Sequence, residues 1–214
     1  MYSDQCAALI AAFTERLRAD LTDHRVDAGP VIAAIDGERH RLASTDIAPP
    51  DAPAHDNHAY AAAVLAAHKV LSAADPDWNL PSGEGLVGWL TDAFVEPFAE
   101  PVRTGTRAML DAATDPFATM VAYARAREDV DFGTEFEFRH PVDGDGEFHA
   151  DVHRCGYHDF LTRHDAAELT PVLCAFDANW IGAIEPHRDG FAFDRETTIG
   201  LGGDFCPFHF KRTD

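Results

Sequence analysis

The chain has 214 residues, 46% of them hydrophobic, which is enough for a core of ordinary composition. Its 37 acidic residues against 17 basic ones leave a formal net charge of -20, so most of the surface repels a nucleic-acid backbone or an anionic membrane. The longest apolar stretch, the alanine-rich run from Ala59 to Ala67, is far shorter than the ~18 to 20 residues that span a bilayer.

A soluble protein is therefore expected, with neither nucleic acid nor membrane as partner. The N-terminus has no basic segment followed by an apolar one, so a cytoplasmic location is the expectation. In a reducing compartment the four cysteines, at 6, 155, 174 and 206, are expected to be free thiols.

In chain order, Leu9, Phe13, Leu17 and Leu21 recur every four residues and predict an amphipathic helix over 5–24. Gly29-Pro30 reads as a break. The stretch 46–56 holds three prolines and reads as a loop without regular structure, one that could cross the mouth of a site. Asn57 then reads as the N-cap of a helix over 58–73, ended by the turn-forming residues 75–83. Two or three more helices are expected before Asp129.

The pattern changes near Asp131. Residues 135–139 and 147–153 alternate apolar and polar around the turn-forming Val142-Asp-Gly-Asp-Gly146, which predicts a hairpin. Two further strands are expected at 191–199 and 205–211, joined by the Gly200-Leu-Gly-Gly-Asp204 turn. Between the hairpins, Thr170 before Pro171 reads as an N-cap and helix start, with the helix running to Ile184. The fold class is α+β: an antiparallel sheet of about four strands from the C-terminal half, packed against N-terminal helices and the one inserted helix. A single domain over 1–214 is expected, mainly helical over 1–130 and sheet-forming over 131–214.

On that reading Cys174 lies in the first turn of a helix, where the backbone dipole favours a thiolate, and Cys206 lies beside the glycine-rich turn. Either is a candidate nucleophile, although free cysteine more often behaves as a small buried hydrophobe, the reading adopted for Cys6. Asp177, one helical turn from Cys174, suits a cationic or N–H-rich substrate group better than activation of the thiol. Arg195 falls among Phe191, Phe193 and Ile199 and needs a partner: a substrate carboxylate, Asp177 or backbone carbonyls. His149, Asp151, His153 and Cys155 are spaced by two, so on a strand they would line one face with His158 just beyond. Zinc or iron held by His149, His153 and His158 is the metal alternative. A polar, solvent-facing side of the sheet is favoured over it.

The C-terminal third, with Cys155-Gly-Tyr157, Cys174-Ala-Phe-Asp177, Arg195-Glu-Thr-Thr198 and Gly202-Gly-Asp204-Phe-Cys206-Pro-Phe208, resembles the L-2-amino-thiazoline-4-carboxylic acid hydrolase family. The resemblance covers about 60 residues. It implies a small-molecule hydrolase that opens a C–N or C–S bond of a cyclic amidine-like or amino-acid-derived substrate without a cofactor. Carried over by motif position, Cys174, Cys206 and Asp177 are the implied catalytic residues, and Arg195, Thr198, Cys155 and Tyr157 surround the substrate. The same pattern is similar to 4-vinyl-reductase-type small-molecule-binding domains, some of which hold zinc. Arg195 and Thr198 replace two of those four ligands, so no structural zinc is implied. A non-catalytic binding or sensor domain is the alternative to an enzyme.

Overall fold

Four helices of the N-terminal part begin at a short acidic or hydroxyl side chain that accepts a free N–H of the first turn, three of them with proline close behind. The computed structural model of the chain describes residues 3–213. α1 (Asp4–Asp23) begins at Ser3, which accepts from Cys6 N–H, and buries Leu9, Phe13, Leu17 and Leu21 as the spacing predicts. α2 (Ala28–Thr45) begins at Asp27, with Gly29-Pro30 inside its first turn. The predicted break there is thus a helix start, because proline is tolerated where the N–H has no intrahelical acceptor. α3 (Ala52–Ser72) is capped by Asp51 with Pro53 in its first turn, so the proline-rich loop ends five residues earlier than predicted. Asn57 is an interior, buried residue of α3 and not its cap.

α4 (Glu84–Ala112) and α5 (Pro116–Arg127) complete the helical part. α5 runs directly into one π-turn, Glu128–Phe132, closed by Gly133 at φ 65° and ψ -160°. The four strands are β1 (Glu137–Arg139), β2 (Glu147–Arg154), β3 (Phe191–Asp194) and β4 (Cys206–Arg212). They form one antiparallel sheet in the order β1-β2-β4-β3, so the predicted α+β class and strand count hold.

Register decides what each face carries. The pairs Phe138↔Val152, Val152↔Cys206, Ala150↔Phe208, Phe148↔Phe210 and Phe193↔Phe210 place an apolar row on the face that meets the helices. The opposite face carries His149↔His209 and Glu147↔Lys211.

Between β2 and β3 lie four short helices where one was predicted: α6 (Gly156–Arg163), α7 (Thr170–Cys174), α8 (Ala178–Ile181) and α9 (Pro186–Asp189), of which α7 and α8 divide the predicted span 170–184 and the other two lie outside it. Thr170 is not an N-cap. A 3-10 turn, Ala167–Leu169, already precedes it, and its hydroxyl is paired with His158 Nδ1 at 3.0 Å. The helix breaks after Cys174 for an identifiable reason. Arg195 Nη2 donates to the Cys174 carbonyl at 3.3 Å, the acceptor that Ala178 N–H would use in a continuous α-helix, and Ala178 N–H turns to Ala175 O instead. β3 also ends at Asp194, so Arg195 lies just beyond the strand in which it was expected.

The π-turn is fixed against the start of α3. Asp51, besides capping Ala54 N–H, accepts from Thr134 N–H at 2.8 Å and Thr134 Oγ1 at 2.6 Å. A Cβ on Gly133 would lie 2.7 Å from Asp51 Oδ1, and the backbone dihedrals belong to a region open essentially to glycine alone. Gly133→Ala is therefore expected to cost about 1–3 kcal/mol, read as a lowered urea midpoint with an unchanged m value.

Candidate active site

Three groups of packed side chains fail to meet completely, and the space between them is a cavity of about 350 Å³. The helical core reaches it through Leu9, Phe94 and Leu173. The layer between α5 and the sheet contributes Met120, Ala150 and Phe210, and a small cluster at the sheet's other end contributes Val152, Cys155 and Cys206. Its volume lies within the range of ~300–1,000 Å³ usual for small-molecule sites, and most of its wall is apolar.

All seven residues expected around a substrate or in catalysis line this one cavity: Cys155, Tyr157, Cys174, Asp177, Arg195, Thr198 and Cys206. Arg195 Nη1 donates to Asp177 Oδ2 at 2.6 Å, and its guanidinium lies 5.2 Å from the centre of the Phe208 ring. Trp180 Nε1 donates to the other oxygen, Asp177 Oδ1, at 2.9 Å. Two of the three partners foreseen for Arg195, Asp177 and a backbone carbonyl, are thus both present.

Thr198 is 3% exposed, and its hydroxyl makes no hydrogen bond within the described residues. It lies close enough to Cys174 to favour that residue's thiolate, against the larger opposing effect of burial. A buried hydroxyl whose one polar neighbour is a thiol keeps hydrogen-bonding capacity for a bound molecule on the cavity wall.

The thiols differ from the expectation in one respect. Cys174 is the last residue of a five-residue helix, not in its first turn, so no N-terminal dipole acts on it. Burial pushes its thiol up to about 11 and that of Cys155 up to about 12. Cys206 is also raised by burial, but Ile199 N–H donates to its Sγ at 3.1 Å and supports negative charge there. For both Cys174 and Cys206, Arg195 acts to lower the thiol and Asp177 to raise it. Cys6 lies outside the cavity wall, fully buried, with its thiol pushed up to about 12 by burial.

The three histidines of the metal alternative go to different neighbours. His149 stacks on His209 at 3.6 Å between ring centres, His153 on Phe205 at 5.1 Å, and His158 pairs with Thr170. Cys155 leaves their face altogether and joins the cavity wall at the end of β2. Among the described residues no three His, Cys, Asp or Glu side chains are grouped to hold a metal ion.

The chain matches the family model described as L-2-amino-thiazoline-4-carboxylic acid hydrolase over residues 56–210. It belongs to that family. No curated protein matches the chain. The family match includes α3 to α5, which the motif resemblance did not reach, and those helices supply cavity residues that the sequence reading missed.

In this family member Asn57 is the chief of them. Its Nδ2 donates to the carbonyls of Asp131 (3.0 Å) and Phe132 (3.3 Å), while Tyr157 Oη donates to its Oδ1 at 2.9 Å. Arg127 is the second, donating through Nε to Asp131 Oδ2 at 2.5 Å and lying 5.4 Å from the centre of the Phe132 ring. The cavity wall therefore carries two guanidinium-carboxylate pairs. The only sequence signal for Arg127 and Asp131 was their spacing of four at a helix end, which surface ion pairs share.

Asn57→Ala would leave two part-buried carbonyls and the Tyr157 hydroxyl without their partner. A loss of about 2–3 kcal/mol is expected, with faster amide exchange at 128–134 than elsewhere in the chain. Exchange protection of 128–134 equal to that of the parent would show that Asn57 does not hold the turn.

Proposed function

We propose that this hydrolase-family chain opens a C–N or C–S bond of a cyclic, amidine-like substrate that carries a carboxylate. The observation that carries the reading is the Asp177–Arg195 pair on the wall of a largely apolar cavity, beside the thiols of Cys174 and Cys206. A zwitterion offers such a pair both of its ends. Its amidinium replaces Arg195 as partner of Asp177, and its carboxylate takes the fork of Arg195. The Thr198 hydroxyl, which makes no conventional hydrogen bond, is available to a ring nitrogen or carboxylate oxygen.

The carbon between two nitrogens and a sulfur is a weak electrophile until its amidine is protonated, and Asp177 favours that protonated form. The free thiols are protonated at neutral pH because burial disfavours the thiolate. Binding changes their surroundings: the amidinium cancels Asp177 and the carboxylate cancels Arg195, and of the two ligand charges the amidinium, whose carbon is the reacting atom, lies nearer the sulfur. Cys206, with the Ile199 N–H on its sulfur, is the thiol best placed to respond.

For a 2-aminothiazoline-4-carboxylate substrate the atoms balance as follows. Cys206 Sγ gives up its proton and bonds to the amidinium carbon, and the ring C–S bond breaks with the ring sulfur leaving as a thiol. Water then adds to the same carbon and expels Cys206 as a thiol, leaving a carbamoyl group on the nitrogen. One water is consumed and no electron is transferred. Cys174 lies beside the same centre, and burial keeps its thiol neutral in this scheme.

The test is turnover followed by NMR, with the carbamoyl and thiol product as readout. Cys206→Ser and the near-isosteric Asp177→Asn are each expected to lower kcat/KM at least about a hundredfold, while Cys6→Ser behaves as the parent. Tight binding of the substrate with no product from the parent protein would instead mark a binding or sensor domain. Full activity in Cys206→Ser would remove the thiol from the reaction.

A further inference from the structure

The cavity is larger than a single five-membered ring with a carboxylate requires, and the surplus has a definite position. Phe138, Val152 and Cys206 are directly paired neighbours in one row across β1, β2 and β4. Two strand spacings separate the ends of that row, so Phe138 lies about 10 Å from the Cys206 backbone on the same face of the sheet. A head group held by Asp177 and Arg195 within reach of Cys206 fills one end of the row and leaves the other open.

That other end is built of aromatic rings. Phe132 lies 4.9 Å from Phe136 and 5.5 Å from Phe138 between centres, and Tyr157 meets Phe136 edge to face at 5.2 Å. All four line the cavity, with Val152 as the floor between them and Cys206. Tilted and edge-on rings at these separations present both faces and edges, the arrangement that accepts one more ring. The Tyr157 hydroxyl is already donated to Asn57, so its ring serves as an apolar wall.

We infer that the substrate carries an aromatic ring on its amidine head group, seated over Val152 against Phe132, Phe136 and Phe138. This inference rests on the reading of Asp177 and Arg195 as the head-group site, and it goes beyond the compound for which the family is named. The polar end fixes orientation and the aromatic end selects among amidines.

The experiment compares three compounds by calorimetry and by turnover on the parent protein: 2-aminothiazoline-4-carboxylate, its 5-phenyl derivative, and its derivative benzylated on the exocyclic nitrogen. At least one aryl compound is expected to bind roughly tenfold or more tightly than the unsubstituted one, as burial of a ring predicts. Phe138→Ala, on the short edge strand, is expected to remove most of that preference while leaving the affinity for the unsubstituted compound within about twofold. Aryl compounds that bind no better than the unsubstituted one, or a preference unchanged by Phe138→Ala, overturn the inference. The two failures are separable. Tighter aryl binding without product from any compound sinks the hydrolytic reading and leaves this one standing, whereas turnover of the unsubstituted compound with no aryl preference does the reverse.

Discussion

The ion pair between Arg195 and Asp177 is the constraint on which this site is built. A guanidinium that enters a largely apolar cavity must find a counter-charge and acceptors for its remaining N–H groups, since an unpaired buried cation is costlier than most single interactions can offset. Here the acceptors are the Asp177 carboxylate and the Cys174 carbonyl, and the Phe208 ring lies under the charged plane. Satisfying Arg195 in this way breaks the helix at Cys174, turns Asp177 toward the sheet, and brings two thiols and the Thr198 hydroxyl to one wall. The apolar face of the sheet meets the helices around this pair, with the cavity in the space left between.

The same pair couples charge to the thiols. Asp177 and Arg195 push Cys174 and Cys206 in opposite directions, and in the unliganded protein burial decides the outcome in favour of the neutral thiol. A ligand that engages both charges cancels both pushes and sets its own amidinium beside the sulfur, which tips the balance toward the thiolate. On the proposed reading, reactivity therefore belongs to the complex with substrate and not to the free protein. That separates this site from one in which a helix dipole holds a standing thiolate.

Much of the fold was legible because period and register are local in origin. The four-residue repeat of α1 and the two-residue alternation of β2 each report one buried face, and both elements formed where that pattern places them. Proline misled at both Gly29-Pro30 and Pro53, because a residue excluded from a helix interior is welcome in the first turn, and an acidic cap precedes each. Asn57 looked like a cap and is an interior residue of α3 whose amide bridges two carbonyls and a tyrosine hydroxyl more than 70 residues away in sequence.

The site was legible only where the motif elements reached. Cys155, Tyr157, Cys174, Asp177, Arg195, Thr198 and Cys206 all line the cavity, whereas Arg127 ends α5 and Asp131 and the Phe132 ring come from the π-turn after it, which has no periodic signature. The helix break at Cys174, and with it the electrostatics of the thiol, depended on a hydrogen bond from Arg195, which no local pattern encodes. The most direct measurement of the central claim is an NMR titration of Cys206 carrying a 13C-labelled β-carbon, with and without a saturating cyclic guanidine carboxylate in which nitrogen replaces the scissile sulfur. The coupling of the thiol to Asp177 and Arg195 predicts titration above the ordinary cysteine value in the free protein, moved to lower pH by about one pH unit or more when the ligand is bound; a midpoint that stays in place or rises in the complex would contradict it.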